Sequence, residues 1–389
     1  MPPEEDEAWG QATPLTRELV LGCLRHKGSL DAWVGHCASR PPPAEFRPIL
    51  WLGLLQLLVL DGIAEHAALH ETVEAAKAAR FPKALVGFAN GLLRHAQRNR
   101  EALLAWMAAQ PLWVRSSHPE WMVRRWTAQW DEAAVEQICT WNQQRARTFV
   151  RRTPRGPADV AAELTPVAAH PGFFMLERGI SPVKLEGFAE GGWYVQDPST
   201  AIAPGLLAVQ PGEAVLDACA APGGKTALLA EALGDGGRGL VALEPQPGRF
   251  ARLQENLQRL GLKEVEARCG ELQALQPGRA FDAVLLDVPC SNTGVLQRRP
   301  DARWRFTRKS LQESCALQQV LLDAGAGLVR PGGRLVYSTC SIEPEETGAL
   351  VSAWLKQQPA WRLVESKLSL PGEAGCDGAY AALLIFQPR

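Results

Sequence analysis

The sequence predicts an α/β protein in which a doubly wound parallel sheet follows an all-helical domain and a small α+β connecting module. Three observations carry that prediction. Residues 14 to about 105 show helical periodicity and no β-branched alternating run. From Trp193 onward, short apolar strands alternate with helical stretches. The first strand of that half, Ala214-Val215-Leu216-Asp217, runs into a Gly-rich turn and then a helix, the arrangement with which open sheets bind ligands.

The first domain, residues 1–105, contains the helical segments Arg17-Glu18-Leu19-Val20-Leu21-Gly22-Cys23-Leu24 and Ile49–Leu60. His66–Ala79 is rich in the good helix formers Ala, Glu and Lys, and Pro82 can open a further helix to about Arg100. Pro41-Pro42-Pro43 marks a loop.

Residues 106–190 form the connecting module. Trp106, Trp113, Trp121, Trp126, Trp130 and Trp141 fall among arginines there. Such a pattern can stack on unpaired bases, although each tryptophan also reads as ordinary core. Thr148-Phe149-Val150-Arg151-Arg152-Thr153-Pro154 predicts a strand entering a turn, and Pro166, Pro171, Gly172, Gly179 and Pro182 punctuate the remainder of the module.

In residues 191–389, strands are predicted at Ala214–Asp217, Gly239–Glu244, Val265–Cys269, Ala283–Asp287 and Arg334–Thr339. Helices are predicted at Thr226–Leu233, Gly248–Leu260 and about Ser310–Val329.

Composition excludes several classes. The longest apolar run, Ile49–Leu60, is too short to span a bilayer. The acidic start, Pro2–Glu7, lacks the basic and apolar regions of a signal peptide. Nine cysteines without a CxxC spacing argue against a disulfide framework or a zinc site. The expectation is a soluble, cytoplasmic chain with reduced thiols, no metal and no membrane partner, acting as a monomer. Net charge is only −1, but Arg298–Lys309 holds five arginines and one lysine against Asp301. The arginines of Arg298–Arg308 and of Arg145–Arg155 are therefore candidate phosphate contacts, against the alternative of a solvated surface.

The Gly-rich turn is Cys219-Ala220-Ala221-Pro222-Gly223-Gly224-Lys225-Thr226. Gly-Lys-Thr suggests a P-loop, but Cys219 stands where that loop needs its first glycine. The GxGxxG pattern fails too, because Gly223 and Gly224 are adjacent. Glu244 ends the next strand twenty residues after Gly224, where an acid can accept hydrogen bonds from both hydroxyls of a ribose. The set suits a nucleoside without a pyrophosphate, such as S-adenosylmethionine.

Two later strands each lead to a cysteine, Cys290 in Asp287-Val288-Pro289-Cys290 and Cys340 in Ser338-Thr339-Cys340. Side chains at the carboxyl ends of parallel strands face the ligand crevice, so both thiols and Asp287 are expected in one pocket. That trio suits methylation of cytosine at C5. Carbon 5 is a poor nucleophile until a thiolate adds at C6, and an acid beside N3 helps by protonating the ring.

Leu216–Thr226, Leu286-Asp287-Val288-Pro289-Cys290-Ser291-Asn292-Thr293-Gly294 and Tyr337-Ser338-Thr339-Cys340-Ser341-Ile342 resemble the RNA (cytosine-5) methyltransferases of the Sun (Fmu) family. The resemblance implies a Rossmann-like S-adenosylmethionine-dependent methyltransferase domain. It implies that Cys340 attacks C6, that Cys290 assists release of the methylated RNA, and that Asp287 contacts the base and lies near the cofactor. It brings Lys225 toward the target base and the cofactor. Cofactor binding falls to Cys219, Ala220, Ala221, Pro222, Gly223, Gly224, Lys225, Glu244, Glu271 and Asp287. DNA enzymes attack from the Pro-Cys cysteine instead, so having both motifs points to RNA.

Leu52–Asp61, Glu65-His66-Ala67-Ala68, Glu71–Lys77 and Phe88–Arg94 are similar to the NusB-type RNA-binding helical domain. His118–Trp126 resembles the segment that succeeds it in the bacterial 16S ribosomal RNA subgroup of the family. Residues 1–105 are thereby implied to be a NusB-like RNA-binding domain, 106–190 a connecting RNA-binding subdomain and 191–389 the methyltransferase domain. The implied partner is 16S rRNA, presenting an unstacked cytosine in naked or early-assembly RNA. The same chemistry on tRNA or 23S rRNA, and a non-catalytic RNA-binding assembly factor, are the alternatives.

The chain departs from the family pattern at several positions. Glu244 replaces an aspartate, Gly270-Glu271 replaces Gly-Asp, Val288 replaces alanine, and Asp377-Gly378-Ala379-Tyr380 replaces Asp-Gly-Phe-Phe. The helical domain is also expected to start late, lacking its first helix.

Overall fold

The computed structural model describes residues 12–275 and 281–387. The acidic start and the expectation of a missing first helix fall on residues 1–11, outside the described residues. Two compact units result, one from the described residues up to Arg145 with Leu296–Arg305, the other from Ala146–Val295 with the described residues from Phe306 on.

The first unit is helical. Its helices span Pro14–Cys37, Arg47–Leu58, Glu65–Ala78, Lys83–Arg98 and Arg100–Ala108, then Leu112–Arg115, Glu120–Thr127 and Glu132–Gln143. The Thr13 hydroxyl caps the first by accepting from the Thr16 amide at 3.1 Å, and Asp131 caps the last by accepting from Ala134 at 2.8 Å. Leu30, Trp33, Leu50, Leu54, Leu55 and Leu93 make its core. Gly53 lets two helices come close: a Cβ there would come within 2.6 Å of Leu93 Cδ2, so the Leu93 side chain would have to shift. Within 106–190 the helices continue to Gln143, so the mixed character predicted for that segment begins only after it.

The second unit opens with a four-stranded antiparallel sheet of order β2-β3-β1-β4: β1 Phe149–Arg152, β2 Leu164–Pro166, β3 Phe173–Leu176 and β4 Trp193–Val195. The main sheet holds β5 Val215–Asp217, β6 Leu240–Glu244, β7 Glu266–Cys269, β8 Phe281–Asp287, β9 Val329–Thr339, β10 Trp361–Ser369 and β11 Ala379–Phe386. Its order is β10-β11-β9-β8-β5-β6-β7. Strands β5 to β9 pair in parallel, and β11 runs antiparallel between β9 and β10.

Six of the seven residues of β8 are buried because helices cover both faces of a parallel sheet. One face packs Leu216, Val241, Val284, Leu286 and Leu335; the other packs Val215, Leu240, Ala242, Ala283 and Leu285. Each predicted strand and helix of this half is present, with ends shifted by a few residues. The hairpin β10–β11 is an addition that the sequence pattern does not predict.

The crevice opens where the strand order reverses, between β5 and its neighbours β6 and β8. Asp217, Glu244, Asp287 and Thr339 are the last residues of their strands, so the predicted site residues share one edge of the sheet.

Candidate active site

The register Asp287↔Ser338 between β8 and β9 sets the reactive end. Each strand continues into a turn, and those turns carry the cysteines face to face: Cys290 Sγ lies 3.2 Å from Cys340 Sγ. Cys340 Sγ also lies 3.4 Å from Asn292 Oδ1. Asn292 adopts φ 62°, a left-handed turn that asparagine tolerates, and its Nδ2 donates to Cys290 O at 2.9 Å. The Cys340 thiol is held well above its usual pKa by its contact with Cys290, then by burial and by nearby negative charge, while Lys225 pulls the other way.

Asp287 is gripped from both sides. Lys225 Nζ donates to Oδ2 at 2.6 Å and Ser338 Oγ to Oδ1 at 3.1 Å. Burial pulls the Lys225 ammonium down, but the Asp287 charge and hydrogen bond outweigh it and leave the pKa raised. The ammonium therefore stays charged at neutral pH.

On the other side of β5 the Gly-rich turn leads into the helix Gly224–Leu233. Gly223 has φ 107°, a backbone state L side chains rarely adopt, and a Cβ on Gly224 would come within 2.9 Å of Tyr194 Cε1. Tyr194 and Asn256 both donate to Pro222 O, at 3.1 and 2.8 Å. Glu244 is 1% exposed; its Oε1 accepts from the Gln246 amide at 3.1 Å and its Oε2 lies 3.7 Å from Arg249. Glu271 is exposed and precedes a short turn at Leu272–Ala274. Burial pushes the Cys219 thiol above the usual range, with Asp287, Asp217 and Glu244 adding to the effect. It is a packing thiol in that state.

Asp217, fully buried, belongs to the same edge, although its sequence context does not single it out as a site residue. Its Oδ2 accepts from Thr226 Oγ1 at 2.7 Å, and its Oδ1 has no hydrogen-bond partner. Burial raises its pKa from 3.8 to about 7.

The acceptors and the turn at this edge fit a nucleoside carrying an amino-acid arm. Glu244 keeps free lone pairs for a ribose diol, and the Gly223-Gly224 turn keeps side chains away from the backbone. Asp217 Oδ1 is a buried acceptor still without a donor.

Arg303 corrects the phosphate assignment made from sequence. It is 0% exposed inside the helical unit, where its guanidinium donates to the carbonyls of Arg25 at 3.3 Å, Ser117 at 3.1 Å and Asn142 at 2.9 Å. Burial and the Arg25 charge pull its pKa down to about 9. Arg151 is also buried and pairs with Glu231 at 2.6 Å. Arg152, Arg155, Arg305 and Arg308 are exposed. Of the tryptophans, Trp126 and Trp141 are core, whereas Trp121 is 43% exposed.

Among the described residues no group of His, Cys, Asp or Glu could hold a metal, and no helix is long and apolar enough to cross a membrane.

Residues 204–384 match the model of the 16S rRNA methyltransferase RsmB/F family, and residues 4–98 match the NusB family. The chain is 37% identical to ribosomal RNA small subunit methyltransferase B of Citrobacter koseri, over 99% of this chain and 93% of that one. It is 36% identical to a probable ribosomal RNA small subunit methyltransferase B of Synechocystis sp., over 89% and 81%. The crystal structure of PH0851 superposes with a TM-score of 0.77 at 23% identity, covering 98% of this chain and 91% of that one. A methyltransferase homologue from Pyrococcus horikoshii gives 0.61 at 24% identity, covering 71% and 97%. At those identities the two structures speak to the fold alone.

Proposed function

The chain belongs to the 16S rRNA methyltransferase RsmB/F family, and from that premise we propose that it methylates C5 of a cytosine in 16S rRNA through a covalent bond between Cys340 and C6. The observation that carries this reading is the pair of thiols 3.2 Å apart at the ends of adjacent parallel strands. Functionally, residues 1–105 and 106–190 engage RNA and 191–389 perform the transfer.

The residues of the sheet edge divide the work. Glu244 holds the ribose of S-adenosylmethionine, Glu271 its adenine, and the Cys219–Lys225 turn with Asp287 its amino-acid arm. When bound, S-adenosylmethionine supplies an electrophilic methyl group. The target base must leave its stack, because a thiol cannot reach C6 within a helix.

Cys340 adds to C6 as its proton passes to the Asp287 carboxylate of the Lys225–Asp287 pair; the Lys225 charge opposes the burial that holds the thiol protonated. As electrons move onto the ring, the Lys225–Asp287 pair, joined at 2.6 Å, supplies a proton toward N3. Carbon 5 is thereby an enamine carbon able to take the methyl group. Release then needs the C5 proton removed and the Cys340–C6 bond broken. Cys290, with its sulfur against that of Cys340, is the group we assign to that step: its thiolate takes the C5 proton, the freed electron pair restores the C5–C6 double bond, and Cys340 leaves as a thiolate.

Bisulfite sequencing of rRNA from cells with and without this gene tests the proposal. A single 16S cytosine that loses protection supports it; unchanged 16S with a lost tRNA or 23S mark moves the substrate and keeps the chemistry. No lost mark in any pool overturns the reading.

A further inference from the structure

Glu346 is 0% exposed, and a buried carboxylate is costly unless donors surround it. Its donors all lead to the turn that carries Cys290. The Ser291 amide reaches Oε1 at 2.9 Å, the Ser291 hydroxyl bonds Oε2, and Gln318 Nε2 reaches Oε1 at 3.0 Å. The same Gln318 Nε2 donates to Pro289 O at 2.9 Å. One carboxylate–amide pair therefore binds both residues flanking Cys290.

The pair is itself fixed. The Tyr337 hydroxyl sits 3.1 Å from Gln318 Oε1, which turns the amide nitrogen toward Glu346 and Pro289, and 2.8 Å from Glu346 O. The cluster also reaches the other thiol. Ser341, next after Cys340, places its hydroxyl 3.1 Å from that of Ser291 and 3.2 Å from that of Thr293. Gly294 N donates to Cys340 O at 2.9 Å, closing the connection between the two cysteine turns.

We propose that Glu346 is a positioning residue for Cys290, clamping its turn so that the Cys290 sulfur faces the Cys340–C6 bond during release. This rests on the reading of Cys290 as the release residue. Displacements on the order of 1 Å can cost about a hundredfold in rate. Glu346 touches no substrate in this role; it acts through Ser291 and Pro289.

The experiment incubates the full chain with S-adenosylmethionine and a 16S rRNA transcript, then measures methyl incorporation and covalent adduct on a denaturing gel. The variants are Glu346→Ala, Glu346→Gln, Ser291→Ala and, as reference, Cys290→Ala. Glu346→Ala and Ser291→Ala should each raise the adduct fraction, the former about tenfold over the parent, and should slow repeated turnover more than the first turnover. Glu346→Gln, whose amide oxygen can still accept from Ser291 N, should return most of the way to the parent. A purely structural role would lower both rates together and leave no adduct; that pattern in Ser291→Ala, beside clear adduct in Cys290→Ala, overturns the clamp alone. No adduct in Cys290→Ala overturns the release role and the clamp with it. Should Glu346→Ala fail to fold, Ser291→Ala and Glu346→Gln decide.

Discussion

Cys290 Sγ and Cys340 Sγ lie 3.2 Å apart although fifty residues separate them in sequence. The contact arises because β8 and β9 are adjacent parallel strands paired Asp287↔Ser338, and each leads into a short turn at the same edge. The neighbouring thiol and burial hold the Cys340 pKa well above its usual value.

The thiols should separate on mutation. Cys340→Ala should abolish methyl transfer while S-adenosylmethionine still binds by calorimetry. Cys290→Ala should instead accumulate a protein–RNA adduct, seen as a slow band on a denaturing gel. The opposite pattern means that the roles are reversed.

Lys225→Met removes the cation from Asp287 and leaves that carboxylate with the Ser338 hydroxyl. Single-turnover methylation should fall by about a hundredfold, the usual scale for losing an acid–base partner. Calorimetric affinity for S-adenosylmethionine should fall far less. Equal losses in both would make Lys225 a cofactor-binding group rather than a catalytic one.

Glu244→Ala should weaken S-adenosylmethionine binding by about 1–3 kcal/mol, because a hydrogen-bonded hydroxyl loses a charged acceptor. Isothermal titration checks it, and an unchanged affinity would remove Glu244 from the ribose site. Glu244→Asp, which keeps the charge on a shorter side chain, should retain most of the affinity.

Asp217 makes stability depend on pH. Its pKa rises from 3.8 to about 7 in the fold, chiefly through burial. The folded state thus binds the proton more tightly than the unfolded chain. This contribution is fully present below about pH 4 and is lost as pH rises through about 7, with an upper bound of about 4 kcal/mol. Asp217→Asn, which can still accept from Thr226, should flatten the unfolding midpoint across that window. An unaltered pH profile in the variant would falsify the assignment.

Arg303→Met should lower the stability of the helical unit by about 2–4 kcal/mol, since three carbonyls lose their donor in a buried site. The salt dependence of RNA binding should keep its slope, because a buried guanidinium releases no phosphate counterion. Arg305→Ala and Arg308→Ala, at exposed positions, should each reduce that slope instead. Filter binding across a salt series separates the two behaviours.

Much of the fold was legible because its signals are local. The alternation of strands and helices after Trp193, the turn at Gly223-Gly224 and the acid ending β6 all arise from nearest-neighbour chemistry in the chain. The hairpin β10–β11 was not legible, since β10 is mostly exposed and carries no clean period-two pattern. Asn292 stood inside a recognised motif, yet its approach to Cys340 depends on a turn conformation that residue identity does not fix.

The sequence by itself determined the residues of the sheet edge: Lys225, Glu244, Asp287, Cys290 and Cys340 each end or come after a strand whose hydrophobic run is read directly from the chain. Only the tertiary structure decided which of them touch. The thiol contact and the Lys225–Asp287 pair result from strand order and register. The burial of Arg303 and Glu346 likewise depends on the groups packed around them. The physical reason is that charge and hydrogen-bonding capacity belong to a residue, whereas desolvation and partner geometry belong to its surroundings. An arginine run thus reads as a phosphate surface in sequence, while the fold buries its Arg303 against three carbonyls.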